Sequence, residues 1–358
     1  MNMTNKIRNT RANRLGPIKF CMLFSITALL VAACNNEPST TSKNETKDTQ
    51  TTSLQTSTEN PEQPKRVQDT AEYNRLAKYL SNGDTTGRWP VKAVYPKPGA
   101  IFPFNRVVAY YGNLLSKGMG ILGELPEDEM LNRLKQEVNK WEQADTMLPV
   151  IPALHYVAIT AQGSPGREGK YILRMPFAQI DTILRMAKKI NGLVFIDLQV
   201  GLSTLQHELP MLEKYLKMPV VHLGIDPEFS MKTGSRPGSR IGSYNAADIN
   251  YVTQYLATLV NENNIPPKIL VVHRFTKQMV QDYKQIKLRP EVQVVMDMDG
   301  WGYKAKKLST YDSYIYREPV QFTGFKIFYK NDIKTDSVEM QPADVLKLKP
   351  RPIYIQYQ

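Results

Sequence analysis

GLVFIDLQ (192–199) and VVHLGID (220–226) bracket the segment VGLSTLQHELPMLEKYLKMP, and this unit decides the fold. Both flanking runs are rich in β-branched and aromatic residues and lack a strict in/out alternation. That is the pattern of strands covered on both faces, as in a parallel sheet wrapped by helices. Each run also carries an acid at or near its end, Asp197 in the first, which closes on Asp197-Leu198-Gln199, and Asp226 in the second.

The same alternation extends in both directions. RVVAYYG (106–112) and VIPALHYVAI (150–159) precede the unit, and ILVVHRF (269–275), VQVVMDMD (292–299), FTGFKIFY (322–329) and RPIYIQYQ (351–358) follow it. Amphipathic runs lie between them. In PEDEMLNRLKQEVNKWEQ, Met130, Leu134, Val138 and Trp141 share a face, and acids crowd the first turn, where they suit the helix dipole. PFAQIDTILRMAKKI opens on Pro176 and aligns Ile180, Ile183, Leu184 and Ala187. NAADINYVTQYLATLVNENN begins with Asn245 and carries Asp248 three residues on, a capping-box start. TKQMVQDYKQI reads as a fourth, shorter helix.

Eight strands alternating with helices over about 253 residues predict an α/β fold, a single (β/α)8 TIM-type barrel spanning 106–358. The alternative is a doubly wound open parallel sheet. No GxGxxG loop, phosphate-binding loop or nucleophile elbow follows any strand, which removes the usual chemical reasons for that alternative.

The region before the barrel divides into three. Residues 1–33 carry Lys6, Arg8, Arg11, Arg14 and Lys19 with no acid, then an apolar run from Phe20 to Ala33. The run is shorter than the roughly 20 residues a membrane span needs and suits a signal peptide. Val31-Ala32-Ala33-Cys34 resembles the lipobox of bacterial lipoproteins. The resemblance implies cleavage before Cys34, acylation of its thiol and anchoring in a lipid bilayer on the extracytoplasmic side, at the cell membrane or outer membrane. Residues 34–69 form a Ser/Thr/Asn-rich tether in which Leu54 is the one large apolar residue between Asn35 and Arg66. Residues 70–105 hold a short helix with Tyr73, Leu76, Ala77 and Leu80 at helical spacing, then a Pro-rich entry segment.

This division reinterprets the composition. Of the net charge of +12, five charges lie in the signal, which leaves +7 on the rest. The basic residues form no stripe interleaved with aromatics, and the anchor implies a place outside the cytoplasm, so no nucleic-acid partner is expected. Of the two cysteines, Cys21 leaves with the signal and Cys34 carries lipid, so neither thiol catalysis nor a thiolate metal site is expected.

Barrel chemistry gathers at the carboxyl ends of the strands. Those ends supply Tyr110 and Tyr111, His155, Asp197 and Gln199, Asp226 and Glu228, His273 and Arg274, Asp297, Asp299 and Trp301, Lys326, and Gln356. Five carboxylates exceed what packing requires, because each buried charge costs several kcal/mol unless paired. Paired acids beside aromatics suit hydrolysis of glycosidic bonds, in which one carboxyl donates a proton and another acts as base or nucleophile. Glu228 is the expected acid and Asp226 its positioning partner. Asp197, Asp297 or Asp299 would serve as the second carboxylate. Tyr111, His155, Gln199, His273, Arg274, Trp301 and Lys326 are the expected substrate-binding residues, with Trp301, Tyr110, Tyr111 and Phe229 as stacking walls. The strand-four acid resembles that of many barrel glycosidases, but the seventh strand carries Lys326 and Tyr329 where retaining enzymes of that kind place a nucleophilic Glu. Glu318 stands before that strand. An inverting, a substrate-assisted or a non-glycosidic use of the acids therefore stays open.

A metal site could draw on His155, His273 and the five acids, but strand one lacks the His that metal-dependent barrel hydrolases often carry there, so no metal is expected; a divalent cation held by oxygens is the alternative. The loops 160–171 and 230–245 could cover the mouth. Lys232, Arg236 and Arg240, with Arg274 and Lys326, suggest a preference for acidic groups. YYGN, GILGE, FIDLQ, GIDPEF, VVHRF and MDMDGWG together resemble a family of bacterial secreted proteins and lipoproteins with glycosidase-like (β/α)8 barrels, a resemblance that implies the fold and the envelope location but no substrate. The expectation is a monomeric, surface-anchored hydrolase of glycosidic type acting on an envelope or environmental polysaccharide. Its alternative is a non-catalytic glycan-binding or envelope interaction lipoprotein on the same barrel.

Overall fold

The structure, a computed structural model, describes residues 69–358 apart from 335 and 337. The signal, Cys34 and the tether to residue 68 lie outside the described residues. In chain order the main elements are α1 (Thr70–Leu80), β1 (Arg106–Gly112), α2 (Glu127–Ala144), β2 (Val150–Ala161), α3 (Phe177–Lys188), β3 (Leu193–Leu198) and β4 (Val221–Ile225). They continue with α4 (Ala246–Asn263), β5 (Lys268–Arg274), β6 (Val292–Met298), α5 (Lys304–Tyr311), β7 (Phe322–Ile327) and β8 (Tyr354–Tyr357).

All eight strands pair in parallel with their sequence neighbours, and β1 pairs with both β2 and β8. The sheet is therefore closed, a (β/α)8 barrel, and the open-sheet alternative is excluded.

Strand periodicity sorts the side chains into two cores. Outward residues such as Val108, Leu154, Val194, Leu270, Val294 and Ile355 pack under the helices. Inward residues of the lower barrel, among them Val107, Ala153, Phe195, Val271, Val295 and Tyr354, form a second buried cluster with Tyr73, Leu76 and Leu80 of α1 and with Phe102 of the entry segment. Gln293, buried at the lower end of β6, fixes this closure. Its Oε1 accepts from the amides of Ile101 and Phe102 at 3.1 and 3.0 Å, and its Nε2 donates to the Phe102 carbonyl at 2.6 Å. The buried Arg106–Asp145 pair, at 2.7 Å, joins the start of β1 to the end of α2, and Tyr79 of α1 donates to the same carboxylate.

The predicted helix starts hold where their chemistry is specific. Asn245 and Asp248 form a reciprocal capping box at α4, and Glu127, Asp128 and Glu129 occupy the first turn of α2. The predicted helix over 276–286 does not form. That segment makes two single-turn 3-10 pieces, with Asp282 left-handed at φ 55°. The reason lies two residues before it: the Arg274 guanidinium donates to the carbonyls of Thr276, Lys277 and Val280, acceptors a continuous helix would need for itself.

Candidate functional site

Reading alternate residues up each strand explains the site. On β3 the inward series is Leu193, Phe195, Asp197, and on β5 it is Ile269, Val271, His273; β2 ends its series on His155, and β6 on Asp297 with Asp299 just beyond. The upper layer of the barrel is thus polar while the layers below it are mainly apolar, with buried His222 against Phe195 and Gln293 at the lower end as exceptions.

His273 stands at its centre. Its Nε2 lies 3.2 Å from Asp197 Oδ2, and its Nδ1 lies 3.1 Å from Asp299 Oδ2 and 3.5 Å from Asp297 Oδ2. His155 approaches Asp197 Oδ2 at 3.7 Å through Nε2, while its Nδ1 meets the Tyr354 hydroxyl at 2.6 Å and Gln356 Nε2 at 3.1 Å. Lys326 contacts Asp299 Oδ1 at 3.0 Å and lies 3.7 Å from the ring centre of Tyr111. Asp226 Oδ1 accepts from the Glu228 amide at 3.0 Å, and its Oδ2 accepts from Gln199 at 3.3 Å.

Burial and charge set the protonation of this layer. Burial works against the imidazolium of His273, but Asp197, Asp297 and Asp299 reverse it and raise the ring well above its ordinary value. Burial likewise opposes ionisation of Asp197 and of Asp299. His273 and His155 nevertheless hold the first below the usual carboxylate range, and Lys326 and His273 hold the second there. Burial pushes Asp226 up to about 8 and raises Asp297 as well. It also lowers His155 to about 4. The layer therefore sets the carboxylates of Asp197 and Asp299 against the cations of His273 and Lys326, while burial favours the protonated form of Asp226 and pulls Asp297 in the same direction.

Glu228 differs from the others because it sits at the rim, partly exposed, in the 3-10 turn Pro227–Phe229 that Asp226 caps. Burial, then the charge of Asp299, raises its carboxyl to about 7, against the opposite pull of Lys326 and His273. Asp299 is the other acid of the layer that reaches solvent, its side chain 10% exposed. The imidazole of His273 fills the space between Asp197 and the Asp297/Asp299 pair, so those acids cannot face each other across a scissile bond.

Most of the expected residues converge: Tyr111, His155, Asp197, Gln199, Asp226, Glu228, His273, Asp297, Asp299 and Lys326 form or border the polar layer. Three expectations need correction. Arg274 points outward, as its place beside inward His273 requires, and is buried among backbone carbonyls and the carboxylate of Glu318, so it does not reach the mouth. Tyr110 also faces outward, buried against Tyr329 and Tyr357, and is no stacking wall. Tyr111 is 4% exposed, packed against both histidine rings, and presents no open face. Trp301 stands half exposed with the Lys306 ammonium 5.1 Å from its ring centre.

The cationic-mouth expectation weakens too, since Lys326 is engaged by Asp299 and Lys232 pairs with Asp248. Tyr354, whose hydroxyl holds His155, was missed; its one signal is its position two residues before Gln356, on the same face of β8. Gly224 and Gly324 were missed as well. A Cβ at Gly224 would lie 2.5 Å from His155 Nε2, and one at Gly324 would lie 2.4 Å from Asp297 Oδ1, so both strands must be bare where the polar side chains cross the barrel.

Two cavities lie away from this layer. One, of about 270 Å³, is lined by Ile159, Met175, Phe177, Met211 and Leu212 on the barrel's flank, and the other lies beside α1 at the amino-terminal end.

Among known proteins, no family model matches the chain and no curated protein matches it. Solved structures of similar fold include the mannanase man26 of Bacillus subtilis, 13% identical over 81% of this chain and 85% of that one, with a TM-score of 0.39. The YdhT protein of Bacillus subtilis is 14% identical over 82% of this chain and 87% of its own, at 0.40. Thermotoga maritima Cel5A, solved with cellobiose, is 8% identical over 71% and 88%, at 0.36. These are likenesses of fold.

Proposed function

We propose that the chain is a glycoside-hydrolase-like barrel, carried outside the cell by lipid on Cys34, in which Glu228 is the general acid on a polysaccharide substrate. The observation that carries this reading is the rim acid itself. Glu228 is the one carboxyl of the cluster that is both partly exposed and raised to about 7, so about half of it carries a proton at neutral pH where a substrate oxygen can reach it. Asp299, kept ionised by Lys326 and His273, is the carboxylate available as its basic partner. Asp226 acts as a positioning residue, because its carboxyl caps the turn that presents Glu228.

A specific observation favours a second reading, a barrel that binds glycans without cleaving them. Asp197, Asp226 and Asp299 are each engaged by a backbone amide or a neighbouring side chain.

One experiment separates the two. A panel of envelope and plant polysaccharides is incubated with wild type and Glu228→Gln, and both products and binding are measured. The acid reading expects loss of product by roughly 10²–10⁴-fold with binding retained, and a wild-type rate that falls as pH rises through about 7, where Glu228 loses its proton. Binding without product in both proteins supports the second reading, and unchanged hydrolysis in the variant refutes the assignment of Glu228.

A further inference from the structure

The three donor atoms His155 Nε2, His273 Nε2 and Asp197 Oδ2 are buried, and none has an aligned hydrogen-bond partner among the described residues. The two nitrogens stand 3.7 and 3.2 Å from the shared oxygen, and one donor atom from each of the three residues lies within 4.8 Å of the others. Around a first-row metal ion with bonds of about 2.0–2.2 Å, neighbouring ligand atoms are roughly 3 to 3.4 Å apart. The two nitrogen–oxygen separations, 3.7 and 3.2 Å, lie within a few tenths of an ångström of that range.

The outer atoms of two of these side chains are already held: His155 Nδ1 meets the Tyr354 hydroxyl and Gln356, and Asp197 Oδ1 accepts from the Leu198 amide at 3.1 Å. His273 Nδ1 makes no aligned hydrogen bond but faces the carboxylates of Asp299 and Asp297 at 3.1 and 3.5 Å. A second group on the far side of each ligand is what orients metal-binding histidines and carboxylates. Gly224 leaves room beside the donors, since a Cβ there would stand 2.5 Å from His155 Nε2.

We propose that His155, Asp197 and His273 bind one divalent first-row transition-metal ion at the floor of the barrel mouth. Two imidazoles and one carboxylate select zinc, manganese or iron(II) over magnesium and calcium, which prefer all-oxygen sets, and they leave coordination positions open. The expectation of no metal followed from strand one lacking His. The site instead draws its histidines from β2 and β5. This inference does not rest on Glu228 acting as an acid: a chain that binds the ion and leaves every glycan intact keeps it and loses the other.

The test uses the full-length chain, stripped with chelator and dialysed, then titrated with zinc chloride or manganese chloride and followed by calorimetry, bound-metal analysis and thermal unfolding. Wild type is expected to retain one ion per chain and to melt higher as the ion is added, with calcium and magnesium failing to substitute. Asp197→Asn and His155→Gln are expected to lose at least tenfold in affinity. Tyr354→Phe, which removes only the hydroxyl behind His155, leaves the ligands in place and is expected to lose roughly 10- to 100-fold. Cys21 and Cys34 are common to all these proteins, so the differences report the barrel site. Equal zinc and manganese binding by wild type, Asp197→Asn and Tyr354→Phe, or no stoichiometric binding by wild type, would overturn the proposal and leave the His273 imidazolium as the layer's central cation.

Discussion

Gly224→Ala tests the geometry of the polar layer with a single methyl group. A Cβ at this position would stand 2.5 Å from His155 Nε2, 2.6 Å from Asp197 Oδ1 and 2.8 Å from His155 Cε1, all closer than non-bonded atoms tolerate. Neither neighbour can withdraw cheaply. The His155 ring lies parallel to Phe195 with centroids 5.2 Å apart, and its Nδ1 is tied to Tyr354 at 2.6 Å, while Asp197 Oδ1 is held by the Leu198 amide. Overpacking of a filled core costs about 1–3 kcal/mol, and three simultaneous clashes against anchored groups place this change at the upper end, about 3 kcal/mol. For a domain of this size that lowers Tm by roughly 6–12 °C. The comparison is Gly163→Ala, where a Cβ meets nothing within 4 Å and the expected change is within about 0.5 kcal/mol. Thermal unfolding of both variants by circular dichroism, with zinc titrations alongside, reads stability and site together. If Gly224→Ala melts with Gly163→Ala and binds zinc like wild type, His155 is free to swing and the crowded layer argued above does not exist.

Two further predictions concern groups outside the mouth. Arg106→Met leaves Asp145 buried without its cation and should cost about 3–5 kcal/mol in urea unfolding at pH 7. Burial raises the Asp145 carboxyl, but Arg106 and Tyr79 outweigh it and hold it below its ordinary 3.8. The pair's contribution is therefore whole above that value, and the gap between wild type and variant should narrow as pH falls through the depressed one. Arg274→Met should lower Tm while leaving glycan affinity unchanged, because its guanidinium is spent on loop carbonyls and Glu318; a fall in affinity at constant Tm would return Arg274 to the mouth.

The fold was legible because its signals are local. Each of the eight strands could be found from a run of five to ten residues, and the capping box at Asn245 and the acidic first turn of α2 are contained within four residues. The one helix that failed, over 276–286, failed for a reason outside its own pattern: a guanidinium on the preceding strand competes for its carbonyls. Closure at the lower end was illegible for the same kind of reason. Gln293 and Phe102 are 191 residues apart, and nothing in either neighbourhood announces the other.

The site shows the same division at higher stakes. Which residues stand on the strand ends follows from period two, and that rule alone, applied strictly, would have turned Arg274 and Tyr110 outward, since His273 and Tyr111 point in. What each residue does depends on partners from distant strands. His155 is held by Tyr354, 199 residues on, and the charge of Asp299 is set by Lys326 and His273. Counting five acids suggested catalysis because unpaired carboxylates are costly, yet the barrel meets that cost with the cations of His273 and Lys326 and with burial that shifts Asp226 and Asp297 toward their protonated forms. The count therefore loses its force, and the case for chemistry narrows to the carboxyl the count did not single out by number. Glu228 is raised to about 7 at a partly exposed rim, an arrangement that burial for packing alone would not require.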